Sequence, residues 1–348
     1  MNLRNNRFIF FTLLLILLLF VGCSKKNGSK PEKIKIGTIR VPDDKTVAYE
    51  LGFFKEYFEN KGIKVELIFF DSGTAANVAF ASGDLDFAEM GYTNGVVALN
   101  RGLDVELIWI HEVLGSNEAL VVQDGKNINS IKDLRGKTIA TPFSSTSHYS
   151  LMKALELEGL TARDIKLLDM NTEDIVASWS RGDLDAVYTW EPTLGEIKKS
   201  GKVLIDSAAL AEKGITTVNI ELVNKQFSKK YPNLVADYIK ALDKGITEFK
   251  ERPENAIKAA SKYLGVKEDL VKRQMESTIW LNAREQLDKK YLGTNKNPGD
   301  FNKTFLETAK FLQNEKKIDK IPTMEQIDEF INSKYIEKGL DKNGENNE

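Results

Sequence analysis

The chain reads as an α/β protein of two similar lobes, a clamshell whose halves are joined by two crossing strands. Three observations predict this. Short apolar strands alternate with amphipathic helical runs, first over residues 34–110 and again over 138–205, the pattern of a mostly parallel sheet covered on both faces. The segment Ala81-Ser82-Gly83-Asp84-Leu85-Asp86-Phe87-Ala88 is echoed by Ser180-Arg181-Gly182-Asp183-Leu184-Asp185-Ala186-Val187. In both copies a helix stops at glycine and Asp-Leu-Asp leads into a strand. Beyond Val223 the alternation gives way to helical spacing alone, which predicts that the chain returns to pack on the first lobe.

The elements follow in order. Ile34–Ile39 alternates apolar with charged residues and reads as a strand. Val47, Leu51, Phe54 and Phe58 recur at helical spacing, and Gly62 ends that run. Val65–Phe70, Phe87–Met90 and Val105–Ile110 read as strands, with helices over Ala75–Ala81 and Val96–Asn100 between them. In the second unit Thr138–Ala140, Ile165–Leu168, Ala186–Thr189 and Val203–Ile205 are strands. Ser147–Glu158, Asp174–Ser180 and Leu194–Lys199 are helices. Thr217–Val223 is a last strand. Helices are then predicted over Pro232–Phe249, Glu254–Leu264, Glu268–Glu276, Phe305–Leu312 and Met324–Ile331.

The N-terminus points to export. Arg4 and Arg7 precede an apolar stretch, Phe8–Val21, broken only by Thr12. That is a signal-peptide pattern, too short to span a bilayer comfortably. It ends in Phe20-Val21-Gly22-Cys23, which resembles a bacterial lipobox, with Phe20 where Leu is commoner. Cys23 is the only cysteine, so no internal disulfide can form, and lipidation of Cys23 would hold the chain at a membrane surface. Residues 24–33 are polar and read as a tether. The expected organisation is a signal peptide over 1–22, a tether over 23–33, a first lobe over 34–118 plus 223–338, a second lobe over 119–222 and a disordered tail over 339–348. The formal net charge is −2 and no long basic block occurs, which argues against a nucleic-acid partner.

Thr141–Ser150 carries six Ser/Thr hydroxyls and a histidine at the start of a helix. One cap needs one hydroxyl. The surplus could form a donor socket at the positive end of the helix, where a small anion binds well, or be a serine-rich loop around an ordinary cap. Ligands of open α/β sheets sit outside the carboxyl ends of the strands. The residues there are Arg40, then Ser72 and Gly73, then Tyr92 and Thr93 in the first lobe. In the second they are Thr146, Ser147 and His148, then Trp190 and Glu191. Ser72 and Thr93 can donate to an anion or cap helices. Trp190 can face a cation with its indole or pack in the core. Glu118, at the first crossing, is a ligand carboxylate or half of a hinge salt bridge. His111, beside Trp109, is expected to be structural.

The sequence resembles the taurine-binding branch of the sulfonate/nitrate/taurine periplasmic substrate-binding proteins from about residue 34 to about 335. The matching stretches are Phe70-Asp71-Ser72-Gly73, Ala81–Asp84, Gly115–Val122, Thr141–Leu151, Ala177–Asp183 and Gly201–Leu204. The Ser145–Ser150 match is specific to the taurine branch. The resemblance implies a type II-like periplasmic binding protein clamshell that captures a small organosulfonate and delivers it to an ABC permease driven by an ATPase. A sulfonate is all acceptor, and Thr146 and Ser147, with neighbouring backbone N–H groups, can donate to it, as can His148 from either ring nitrogen. The resemblance also marks departures. The family's amine-binding Asp aligns with Asn219. A neutral residue is usual at Arg40, a smaller one at Tyr92, and a neutral residue or Asp at Glu191. Either Glu191 or Glu118 then takes the ammonium, or the amine is not read and the ligand is another sulfonate or small anion.

The expected protein is therefore an extracytoplasmic, lipid-anchored, monomeric binding protein with no enzymatic activity, cofactor or metal. Enzymes of pyrimidine or menaquinone-precursor synthesis and ligand sensors share the fold and are the alternatives. With two histidines and one cysteine, no catalytic or metal motif stands out.

Overall fold

The computed structural model describes residues 30–341. The expected signal segment, Cys23, most of the tether and residues 342–348 lie outside the described residues. The strands are β1 (Lys33–Thr38), β2 (Lys64–Phe69), β3 (Phe87–Gly91), β4 (Val105–Val113), β5 (Glu118–Gln123), β6 (Thr138–Thr141), β7 (Lys166–Asp169), β8 (Ala186–Trp190), β9 (Gly201–Asp206) and β10 (Val218–Asn224). They form two five-stranded sheets, ordered β2-β1-β3-β10-β4 and β7-β6-β8-β5-β9. Each sheet has the same plan. β1 pairs in parallel with β2 and β3, as β6 does with β7 and β8. The fourth strand of each is antiparallel to both neighbours. That strand arrives from the opposite lobe: β5 follows β4 directly, and β10 follows β9 through the helix Ser207–Glu212.

β10 corrects the expected boundary. Residues 218–222 were assigned to the second lobe, yet β10 lies between β3 and β4 in the first sheet. Its Val218–Val223 run is buried throughout, and such a strand needs a hydrogen-bonding neighbour on each edge. The expected helix over Val47–Phe58 is also two pieces, Asp44–Glu50 and Phe53–Tyr57, because Gly52 takes a left-handed φ of 80°. A helix absent from the expectation, Lys334–Leu340, buries Tyr335 and Ile336 and takes in the first residues of the expected tail.

The repeated motif performs the same work in both lobes. Gly83 and Gly182 have φ of 77° and 81° and end their helices, a conformation that glycine adopts without steric cost. The second aspartate then turns back to the first strand. Asp86 Oδ2 accepts from Lys35 N–H at 2.8 Å, and Asp185 Oδ2 accepts from Thr138 N–H at 2.9 Å. The duplicated sequence is thus a duplicated strand lock.

The C-terminal helices return to the first lobe as expected. Tyr238, Phe305, Phe330 and Tyr335 join one core with Ile34, Phe87 and Trp109. Each such buried side chain contributes about 1.5–3 kcal/mol. The second lobe has two smaller cores, one on each face of its sheet, around Leu151 and around Trp179. No helix among the described residues is long and apolar enough to cross a membrane.

Asp86→Ala and Asp185→Ala should each destabilise the chain by about 1–3 kcal/mol, since each strands a partly buried backbone N–H. Urea unfolding midpoints check this, and similar losses in the two variants are expected.

Candidate functional site

The strand ends of both sheets converge on one cavity between the lobes. It is lined by Ser72, Gly73, Gly91, Asn94 and Glu112 from the first lobe and by Glu118, Ser145, Thr146, Trp190 and Glu191 from the second; Asn219 of β10 also lines it. The cavity measures about 70 Å³, against roughly 10–15 Å³ for one buried water. It therefore suits a small molecule rather than a polymer.

Three helices begin at this cavity, Gly73–Ala81, Tyr92–Asn100 and Thr146–Leu157. The first N–H groups of a helix have no partner within it. Ser72 Oγ accepts only from Ala75 N–H, and Ser145 Oγ only from His148 N–H. The N–H groups of Gly73, Thr74, Thr146 and Ser147 remain available. Gly91 has no side chain with which to cap its helix. Three positive helix ends thus face one small space, the arrangement that favours a bound anion.

The surplus hydroxyls have a different role from the expected one. Glu118 is fully buried and accepts hydrogen bonds from five hydroxyls: Thr146, Ser147, Ser150, Ser207 and Thr217. Burial pushes its carboxyl above the usual range and the hydroxyls pull it back. Thr146 and Ser147 therefore face the cavity region as part of a protein-carboxylate cage, and Ser147 does not line the cavity itself. The anion that this hydroxyl cluster holds is Glu118. A buried carboxylate is tolerated only when so paired.

Four further expectations are corrected. Arg40 is exposed, its guanidinium 4.3 Å over the Phe69 ring, while its neighbours Ile39 and Val41 line the cavity. Tyr92 is buried behind the wall, its hydroxyl 2.7 Å from Thr308 Oγ1 and its ring edge-on to Tyr149. Thr93 is also buried behind the wall and its hydroxyl has no partner among the described residues. His148 is stacked on Phe143 at 4.4 Å and meets Phe311 edge-on. Its Nδ1 accepts from Ser144 N–H at 3.4 Å. Burial, and then Lys317, push its pKa down to about 4, so it is a neutral interlobe packing residue.

Ser72, Gly73, Glu118, Thr146, Trp190, Glu191 and Asn219 do meet at the cavity. Glu191 is already engaged: it accepts from Gly195 N–H at 2.9 Å and from Lys198 Nζ at 3.1 Å. Asn219 Nδ2 donates to Glu112 Oε1 at 2.6 Å across the β10–β4 pair. Glu112 was absent from the expected site. The signal was present, as a carboxylate at the cavity end of the buried strand Val105–Val113, directly opposite Asn219. Behind it lies a buried ion network. His111 gives one ring nitrogen to Asp44 at 2.6 Å and the other to Glu221 at 2.7 Å. Lys45 Nζ lies 2.9 Å from Glu221.

The depressed pKa of His148 makes stability pH-dependent. The neutral ring is favoured in the fold, so its contribution is complete above about 6.5 and is lost as pH falls toward about 4, a span of about 3 kcal/mol. His148→Phe should flatten the pH dependence of unfolding over that window, measured by urea titration. Glu118→Ala should cost at least about 3 kcal/mol, because five hydroxyls lose one acceptor, with Glu118→Gln costing less; thermal unfolding distinguishes the two.

Comparison with known proteins agrees with this architecture. The family described as NMT1/THI5 like matches residues 46–256. The taurine-binding periplasmic protein of Escherichia coli K12 is 31% identical over 288 residues, covering 81% of this chain and 86% of that protein. A candidate aliphatic sulfonates-binding protein of Bacillus subtilis 168 is 28% identical over 338 residues, covering 95% of this chain and 96% of that one. The alkanesulfonate-binding protein from Xanthomonas axonopodis pv. citri, solved bound to MOPS, superposes with a TM-score of 0.68 at 18% identity, covering 85% of this chain and 96% of that one. With the two-lobed periplasmic binding protein fold in place, the chain belongs to the NMT1/THI5-like family.

Proposed function

We propose that this chain is the extracytoplasmic solute-binding component of an ABC importer, capturing a small organosulfonate, taurine, between its lobes and delivering it to the permease and ATPase. The observation that carries this is the convergence of three helix N-termini on one small cavity. A sulfonate stays anionic near neutral pH and offers only acceptor oxygens, so the available N–H groups of Gly73, Thr74 and Thr146 suit it. Ser72 can add a hydroxyl donor. The names of the relatives, taurine-binding and aliphatic sulfonates-binding, support the same ligand class. Lipidation at Cys23 would anchor the chain, and residues 24–32 would give the lobes reach. The role is binding rather than catalysis, by a monomer that needs no cofactor.

Capture works through closure. Contacts from both lobes to one ligand favour the closed arrangement. The lobes already meet at Gly91, where an added Cβ would lie 3.0 Å from Thr146 Cγ2. A tight seam of this kind allows both helix ends to reach one sulfonate.

Taurine, isethionate and ethanesulfonate titrations followed by thermal shift test the proposal. A sulfonate that binds raises the melting temperature in step with its concentration over its Kd; no shift with any of the three contradicts the function. Gly91→Leu should prop the seam and weaken sulfonate binding at least tenfold, measured by calorimetry.

A further inference from the structure

Among the described residues three carboxylates line the cavity, Glu112, Glu118 and Glu191, and no lysine or arginine does. Helix ends alone supply positive potential at one side. A ligand carrying only negative charge would bring its charge into a space with three acids and no cationic side chain. A zwitterion, with an ammonium at the acidic side, suits the cavity better.

The three acids are not equally able to take that ammonium. Glu118 has both oxygens bonded to hydroxyls. Glu191 is bonded to Gly195 N–H and neutralised by Lys198. Glu112 is buried, holds Asn219 through Oε1, and its Oε2 has no partner among the described residues. A buried polar atom without a partner is an exception that calls for an explanation, and a ligand group supplies one. We propose that Glu112, steered by Asn219, is the carboxylate that recognises the amine of an aminosulfonate and sets selectivity for it over amine-free sulfonates.

This rests on the organosulfonate function proposed above. It also relocates amine recognition. The side chain on the return strand is the amide of Asn219, which carries no charge; the countercharge sits opposite it on β4. The pair divides the work, with Asn219 fixing one oxygen and leaving the other for the ligand.

The surroundings of Glu112 add a second readout. Burial, then the charge of Glu89, push its pKa up to about 8, against the opposing pull of His111 and Asn219. Asp44 of the first helix adds to the upward push. Glu221 of β10 and Lys45 complete the charged groups behind it, paired with each other, and Glu118 and Glu191 face the same cavity from the second lobe. At pH 7 the resting carboxyl keeps its proton. An arriving ammonium favours the carboxylate, so the proton leaves for solvent: the acid and the cation become an ion pair plus one free proton. Binding of the aminosulfonate then releases about one proton at pH 7 and tightens by up to about tenfold per pH unit below pH 8. An amine-free sulfonate releases none.

The experiment is calorimetry of the chain and of Glu112→Gln with taurine, isethionate and ethanesulfonate, at pH 7 in two buffers of different ionisation enthalpy. The expected result is a taurine preference of at least tenfold in the unmodified chain, with proton release for taurine alone, and a preference near unity in Glu112→Gln. Equal affinity of the unmodified chain for all three ligands overturns the Glu112 assignment and leaves the sulfonate function standing. So does a taurine preference that survives in Glu112→Gln. Failure of the unmodified chain to bind any of the three overturns the sulfonate function itself.

Discussion

A carboxylate buried where two lobes cross is costly unless every lone pair is used, and at Glu118 five hydroxyls meet that demand. Glu118 opens β5, the strand that carries the chain from the first lobe into the second sheet. Three of its partners, Thr146, Ser147 and Ser150, come from the first turn and a half of one helix, Ser150 being four residues after Thr146 and three after Ser147. Ser207 begins the helix that follows β9, and Thr217 immediately precedes β10. One side chain therefore ties both crossing segments to the helix whose N-terminus forms the cavity wall. The backbone donors of that helix are aimed by a bond the protein makes with itself.

The cavity separates charge without a basic side chain. Helix ends give positive potential on one side, and Glu112 sits with Asn219 on the other. Behind Glu112, burial opposes the charge of Lys45, but Glu221 and Glu89 outweigh it and keep its pKa above the usual value. His111 is likewise held charged against its burial, chiefly by Asp44. Both ring nitrogens of His111 are engaged in this buried network; Asp43, Glu89, Glu221 and Glu112 each keep one oxygen without a partner among the described residues, and of these four only Glu112 lines the cavity. The lobes close over this arrangement through aromatic contacts. Phe311 of the returning helix meets His148 and Tyr149 of the second lobe, and Tyr149 meets Tyr92 of the first.

Much of the fold was legible because it is written twice. The Gly-Asp-Leu-Asp copies have identical hydrogen-bond roles at Asp86 and Asp185, and such local chemistry can be read from residues alone. The ownership of β10 was not legible: a strand buried on both faces pairs equally well on paper with either sheet, and only tertiary packing decides. Seven of the twelve expected ligand residues line the cavity. Of the five others, Ser147 is turned to Glu118 and His148 to Phe143 and Phe311. Adjacent residues at a strand end or helix start point to different sides, so Ile39 and Val41 face the cavity and Arg40 does not, and Gly91 faces it while Tyr92 and Thr93 lie behind. The hydroxyl-rich helix start was recognised as an anion socket, but a sequence cannot tell an internal carboxylate from an external sulfonate. Glu112 is not legible as a site residue in sequence because its partner, Asn219, lies 107 positions away.

A crystal structure of the chain with taurine at neutral pH tests the central claim most directly. The account predicts the sulfonate oxygens on the backbone N–H groups of Gly73 and Thr146, with Glu118 still bonded to Thr146 and Ser147 and the ammonium against Glu112. A sulfonate that displaces Glu118 from those hydroxyls, with Glu112 left untouched, would contradict it.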